Sequence, residues 1–312
     1  MTVIYHESDL SDDDRRPLLY AGDLFVFTPR PSTLKLVEHA RAMIEETFGD
    51  DPTHAQFGMP VEKFVELGGP LKPAFIHHPR TKELIRDVVA DLGCSLEETY
   101  LDVPRLRLAT SNGYLTAGVG YAFHPHRDTW YSAPMAQLNW WIPIYDFGPD
   151  AGMAFHPRYM DEPIRNGSAG FNYYRWNADG RKNAAQHVKT DTRVQPKPEQ
   201  DIELDPQIRI MGKAGSVLIF SAAHLHSTVP NTSGATRFSI DFRTVNRADI
   251  ENRVGAKNLD SHCTGTSLRD FMRGTDLQRM PEEIVAMYDD GSAGDGIAVF
   301  TPEVHAMKDK AA

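Results

Sequence analysis

The feature that most constrains this chain is a change of period at Val103. From there on, apolar residues fall into short runs separated by turn residues: Arg105 to Ala109, Gly118 to Phe123, Ala136 to Ile144, Gly152 to Phe155, Ser216 to Phe220 and Arg237 to Val245. Short β-type runs with turn residues between them predict strands paired antiparallel in a barrel or sandwich. The segment before Val103 reads differently. Leu24 to Phe27 is a short apolar run closed by Pro29 and Pro31, which predicts a strand. Leu34, Val37, Ala40, Met43 and Ile44 then recur at helical spacing. A second helix is predicted over Thr81 to Leu92, where Leu84, Ile85, Val88, Val89 and Leu92 form one stripe ended by Gly93. Both helices are expected to brace the sheet.

Pro157 to Gly212 is rich in Arg, Asn, Asp, Gly and Pro, with Phe171, Tyr173, Tyr174 and Trp176 embedded in it. An insertion of this kind is a lid or binding loop, or a solvated segment with local aromatic packing. After Asp249 the chain turns polar, with a helix expected around Pro281 to Tyr288 and a loosely held tail from Gly291. A chain of 312 residues can bury one large core. The expectation is one domain: helical support over 1–100, a β core over 101–250 with a lid-like insertion at about 157–212, and an extension over 251–312.

Charge narrows the partners. With 33 Lys+Arg against 43 Asp+Glu, the formal net charge of −10 repels phosphate backbones and offers anionic membranes no basic surface. The two cysteines, Cys94 and Cys263, make neither a disulfide framework nor a zinc motif. The polar, acidic N-terminus lacks the basic start and apolar run of a signal peptide, and no stretch approaches about 20 apolar residues. A soluble cytoplasmic protein acting on a small molecule is expected, with neither nucleic acid nor membrane as partner.

The chemistry is concentrated in two places. His126 and Asp128 lie two apart, and on a strand such residues project from one face. A further imidazole would complete a two-His-one-carboxylate facial triad, which holds Fe(II) on one side and leaves the other positions open. His226 supplies one at the polar end of the apolar run from Ala214. Each has a rival: His124 shares a face with His126, and His224 with His226. On Ala136 to Ile144, Gln137, Asn139 and Trp141 share a face suited to holding an acid against an aromatic wall; the alternative is that they face solvent. Trp130 and Tyr131, just after Asp128, and Arg105 and Arg107 on an earlier run are candidates for touching substrate, although core packing explains an aromatic pair equally well. Gly118-Val-Gly120 lacks the third glycine and the helix start of a nucleotide loop.

Taken together, His126 and Asp128, Trp141, Gly152, the run from Gly215 to Phe220, His226 with Pro230-Asn231, and Arg237 eleven residues beyond His226 resemble the Fe(II)/2-oxoglutarate oxygenases, and within them the phytanoyl-CoA hydroxylase-like branch. The resemblance covers roughly Tyr121 to Val245. It implies a mainly β fold, the double-stranded β-helix, braced by N-terminal helices, with iron on His126, Asp128 and His226. It also implies 2-oxoglutarate and O2 as cosubstrates, released as succinate and CO2, with hydroxylation of a C–H bond the expected outcome and desaturation, epoxidation or ring formation open. A guanidinium can grip both oxygens of a carboxylate, and Arg237 lies at the offset expected for 2-oxoglutarate. Arg243, on the same strand face, is the alternative, and an ion pair with Asp241 would be the structural role for either. Thr228 could donate its hydroxyl to the same acid, with Gln137, Asn139 and Trp141 beside it. Where the family often has a Pro-Gly-Ser-His turn, this chain reads His156-Pro-Arg-Tyr159. A cupin-like metal-binding barrel is the competing reading, but cupins follow the His-x-His with a glutamate, and Thr129 to Ala136 contains none.

Overall fold

A computed structural model describes residues 1–118, 124–180 and 195–292. Its larger sheet has eight strands, in the order β1 (Ile4–His6), β2 (Leu24–Phe27), β8 (Val217–Ser221), β5 (Leu138–Pro143), β10 (Arg237–Asn246), β3 (Thr99–Leu101) and β11 (Met272–Arg273), with β4 (Arg105–Ala109) also on β10. A smaller sheet has the order β7 (Ile208–Ile210), β6 (Met153–Phe155), β9 (His226–Thr228). All pairs are antiparallel except β1 with β2. Five of the expected runs are therefore strands. The sixth, Gly118 to Phe123, lies outside the described residues beyond Gly118, as do 181–194 of the insertion and the tail after 292. Among the described residues the sheets do not close into the expected barrel. Residues 1–100 are also not purely helical support, because β1 and β2 form one edge of the larger sheet.

Period two sorts the larger sheet into two chemistries. Leu106 and Leu108, Leu138, Trp140 and Ile142, Val217 and Ile219, and Phe238, Ile240 and Phe242 join one apolar core with the helices. Each such side chain, fully buried, is worth about 1.5–3 kcal/mol. The alternate positions, Arg105, Arg107, Asn139, Trp141, Arg237, Asp241 and Arg243, face the other way. The register sets Arg105 against Asp241 and Asn139 against Arg243. Trp141, Leu218 and Phe220 on this second face pack with Met153 and Phe155 of the smaller sheet.

The helical layer is α1 (Asp12–Tyr20), α2 (Pro31–Phe48), α3 (Val61–His77) and α4 (Pro79–Asp91). In α2, Pro31 takes the first position, where no backbone N–H is needed, and Leu36, Val37, Ala40 and Ile44 turn inward. The expected stripe was slightly out of phase, since Leu34 is exposed. α4 buries Leu84, Ile85, Val88 and Val89 as expected, and Gly93 follows at φ +84°. α1 and α3 were not expected. Ser11 caps α1, and Asp12 pairs with Arg15 and Arg16, so ionic contacts at its start join Leu19 and Tyr20 in the core at its end in holding it. The expected helix near Pro281 shrinks to Glu282–Val285.

One carboxylate ties the C-terminal extension to the rest. Asp260, buried, accepts from Arg127 Nε at 3.2 Å, Trp130 Nε1 at 2.7 Å and the Ile164 amide at 2.9 Å. Asp260→Ala leaves the buried Arg127 guanidinium without a counter-charge and is expected to cost about 3 kcal/mol or more in denaturant unfolding. An Arg127→Met/Asp260→Leu double variant should recover part of that loss, since it removes the unpaired charge while the Trp130 and Ile164 N–H groups stay without their acceptor. If it does not, the uncompensated charge is not the cause.

Candidate metal centre

The smaller sheet presents His226 at the start of β9, and a two-way backbone bridge brings His126 alongside. Each amide donates to the other's carbonyl at 3.0 Å, and the imidazole centroids lie 4.4 Å apart. The strand expected to carry both His126 and Asp128 is not what positions them. The Asp128 amide donates to Ala222 O, and Asp128 opens a short 3-10 turn, Asp128–Tyr131. The carboxylate still converges: Asp128 Oδ1 lies 3.3 Å from His126 Nε2, and donor atoms of His126, Asp128 and His226 all fall within 4.8 Å of one another. Two ligands about 2.1 Å from one ion at a right angle stand about 3 Å apart, so the donor set fits a single metal.

The surroundings orient these donors. His126 Nδ1 lies 2.8 Å from the His124 carbonyl and His226 Nδ1 lies 2.9 Å from the His224 carbonyl, which leaves both Nε2 lone pairs for a metal. Burial, then neighbouring His126, pushes the His226 imidazole down to about 3, so it is neutral at pH 7. Burial alone would raise the Asp128 carboxyl. Arg243, with His126 and His226 beside the carboxylate, outweighs it and holds Asp128 well below the usual carboxylate range. Asp128 Oδ2 is gripped by Arg243 Nε and Gln137 Nε2, each at 3.3 Å, so Oδ1 is the oxygen left to face the histidines.

The rival histidines serve differently. His124 Nε2 meets Pro196 O at 2.7 Å, and His224 is fully buried with Nδ1 on Leu225 O and Nε2 unpartnered. Their backbone carbonyls, not their rings, reach the site. Burial pushes His224 down to about 4 from the ordinary 6.5. A histidine depressed on folding contributes stability that is intact above 6.5 and drains away as pH falls toward 4, by about 3 kcal/mol. Unfolding free energies of the parent and of His224→Gln, measured from pH 7 to 4, should differ by this pH-dependent term; parallel curves would exclude it.

The donors open onto a cavity of about 350 Å3. Gln137, Asn139, Trp141, Thr228, Arg237, Tyr131, Arg105 and Arg107 all line it, so the amides and Trp141 do not face solvent. Trp130 does not reach it: its indole is fully buried with Tyr159, Ile164 and Leu225. Substrate contact by Trp130 is therefore corrected, because the 3-10 turn swings it away from Tyr131. The two candidate arginines also separate. Arg243 is committed to Asp102 at 3.1 Å and to Asp128. Arg237 donates Nη1 to the Ala151 and Gly152 carbonyls at 2.7 and 3.1 Å, lies 5.4 Å over the Trp141 ring, and has an unpartnered buried Nε. Burial lowers Arg237 to about 10, which still leaves it charged. Asp241, considered as partner for either, is instead gripped by Arg107 through Nε and Nη2. Asp102, which joins Arg105 to Arg243, gave no signal in the sequence. The insertion supplies Phe171, Tyr173 and Trp176 to the cavity wall.

Comparison with known proteins places this geometry in context. The family described as phytanoyl-CoA dioxygenase matches residues 43–239. No curated protein matches the sequence. Among solved structures, EvdO2 from Micromonospora carbonacea var. aurantiaca, complexed with 2-oxoglutarate, is 13% identical, with 77% of this chain and 92% of that one covered and a TM-score of 0.44. AviO1 from Streptomyces viridochromogenes Tue57 is 15% identical over 77% and 98%, at a TM-score of 0.38. SnoN, a non-heme α-ketoglutarate-dependent epimerase from nogalamycin biosynthesis, is 16% identical over 75% and 84%, also at 0.38.

Proposed function

Because the chain belongs to the phytanoyl-CoA dioxygenase family, we propose that it is an Fe(II)- and 2-oxoglutarate-dependent dioxygenase that hydroxylates a C–H bond of a small polar molecule. The observation that carries this reading is a buried His126–Asp128–His226 donor set sharing one cavity with Arg237, a buried guanidinium whose Nε has no hydrogen-bond partner among the described residues. A buried cation left open in this way calls for an anion. The fold that goes with the reading is one domain built on a double-stranded β-helix, with the insertion as its lid.

His126, Asp128 and His226 would hold the iron, with Arg243 and Gln137 fixing which oxygen Asp128 offers. Bound iron would supply the oxidising chemistry that converts 2-oxoglutarate and O2 to succinate and CO2 while oxygen enters the substrate. Arg237 would take the distal carboxylate of 2-oxoglutarate, Trp141 would wall it, and Thr228, Asn139 and Gln137 would offer hydrogen bonds. Tyr131, Arg105 and Arg107 stand where a substrate would lie. Asp128 would supply the third protein ligand beside His126 and His226. No helix among the described residues is long and apolar enough to cross a membrane, which suits a cytoplasmic enzyme.

The deciding experiment is anaerobic titration of metal-free protein with Fe(II) and then 2-oxoglutarate, watching for the visible charge-transfer band of the chelated complex. The band is expected to saturate at one equivalent of each. Iron binding with no band at any 2-oxoglutarate concentration would remove the oxygenase reading in favour of a metal-binding barrel of the cupin kind.

A further inference from the structure

The cavity wall carries a charge opposite to that of the chain. The sequence has a formal net charge of −10, yet among the described residues five cationic side chains face four carboxylates around the cavity. On the reading proposed above, on which this inference rests, a divalent ion and the dianion of 2-oxoglutarate cancel, so these described groups leave one positive charge for the substrate to meet.

Arg105 is placed to present it. Its Nη1 donates to Asp102 Oδ2 at 2.6 Å and to Val103 O at 3.1 Å, while Nε and Nη2 make no hydrogen bond among the described residues. That open edge is a pair of parallel N–H donors, the shape a planar carboxylate fills with both oxygens. Arg107 has spent the same edge on Asp241, and Arg243 is divided between Asp102 and Asp128. Burial and the neighbouring Arg243 push the Arg105 guanidinium down, so an added anion would relieve both costs. The cavity also has an aromatic side. Ring centroids step 5.6 Å from His126 to Tyr131, 5.2 Å on to Phe171 and 5.7 Å on to Trp176, all four residues lining the cavity.

We infer that the substrate is an organic acid, its carboxylate on the Nε/Nη2 edge of Arg105 and an apolar, ring-bearing body along Tyr131, Phe171 and Trp176. A charge-assisted pair in a site shielded from water favours the acid over its neutral amide by about tenfold or more.

The test uses protein saturated anaerobically with Fe(II) and 2-oxoglutarate, titrated with 2-naphthoate and with its neutral isostere 2-naphthamide, binding being read from tryptophan fluorescence. The parent is expected to prefer naphthoate at least about tenfold, and both Arg105→Met and Arg105→Lys to bring that preference close to unity. The lysine variant keeps the charge and loses only the fork, so it tests geometry without removing Asp102's partner. Equal binding of the two probes, no binding of either, or an undiminished preference in both variants would overturn the inference while saturation by 2-oxoglutarate leaves the oxygenase reading standing. Failure to saturate with 2-oxoglutarate would instead bring down that reading and this inference with it.

Discussion

Asp128→Ala is expected to weaken Fe(II) binding by upward of about 100-fold in anaerobic calorimetry, because loss of a mere orienting partner of a metal ligand already costs about 10–100-fold. The structure adds a second consequence. Asp128 Oδ2 is one of two carboxylate contacts of the buried Arg243 guanidinium, and its removal leaves that charge with Asp102 alone. The metal-free variant should therefore also unfold at lower denaturant than the parent. Asp128→Asn keeps the volume and loses the charge, so it shows how much of each effect the charge carries. Parent-like iron affinity in both variants would remove Asp128 from the metal centre.

Arg237→Met should have the opposite signature. Its guanidinium contacts the Ala151 and Gly152 carbonyls and the Trp141 ring but none of the three metal-binding side chains, so iron affinity is expected to persist. Affinity for 2-oxoglutarate is expected to fall by about 100-fold or more, the scale of truncating one partner of a buried, hydrogen-bonded charge pair. Without 2-oxoglutarate the variant should match or exceed the parent in stability, because an apolar side chain then replaces a buried cation lacking a counter-ion. Unchanged 2-oxoglutarate binding would pass the role to another residue, and Arg243 is poorly placed to take it while it holds Asp128.

Elements whose signal is local were legible before the fold was known. β5 and β10 announce themselves through alternation, β8 through a short unbroken apolar run, and α2 and α4 through an apolar stripe with a proline start or a glycine stop. α3 escaped notice because Gly68, Gly69, Pro70 and Pro73 sit inside it, although its buried Phe64, Gly68, Leu71 and Phe75 keep helical spacing. α1 escaped because Asp12, Arg15 and Arg16 do at its start what apolar residues do elsewhere. The direction of Trp130 was not legible either, since a 3-10 turn replaced the extended strand on which neighbours alternate.

The sequence by itself determined the residue types and order of the site: a His-x-Asp, a distal histidine and an arginine eleven residues beyond it, each on or beside a short β run. It also determined which face of β4 and of β10 is polar, because alternation is a property of the backbone alone. Only the tertiary structure decided how the arginines divide their work. Arg237 and Arg243 have the same charge on the same face of β10, yet one finds carbonyls and an aromatic ring while the other finds Asp102 and Asp128. Asp102 lies 141 residues from Arg243 and Asp260 lies 133 from Arg127, and such partners meet only when the chain has closed. The physical reason is that electrostatic partnership depends on distance in space and on burial, whereas periodicity depends on position along the chain.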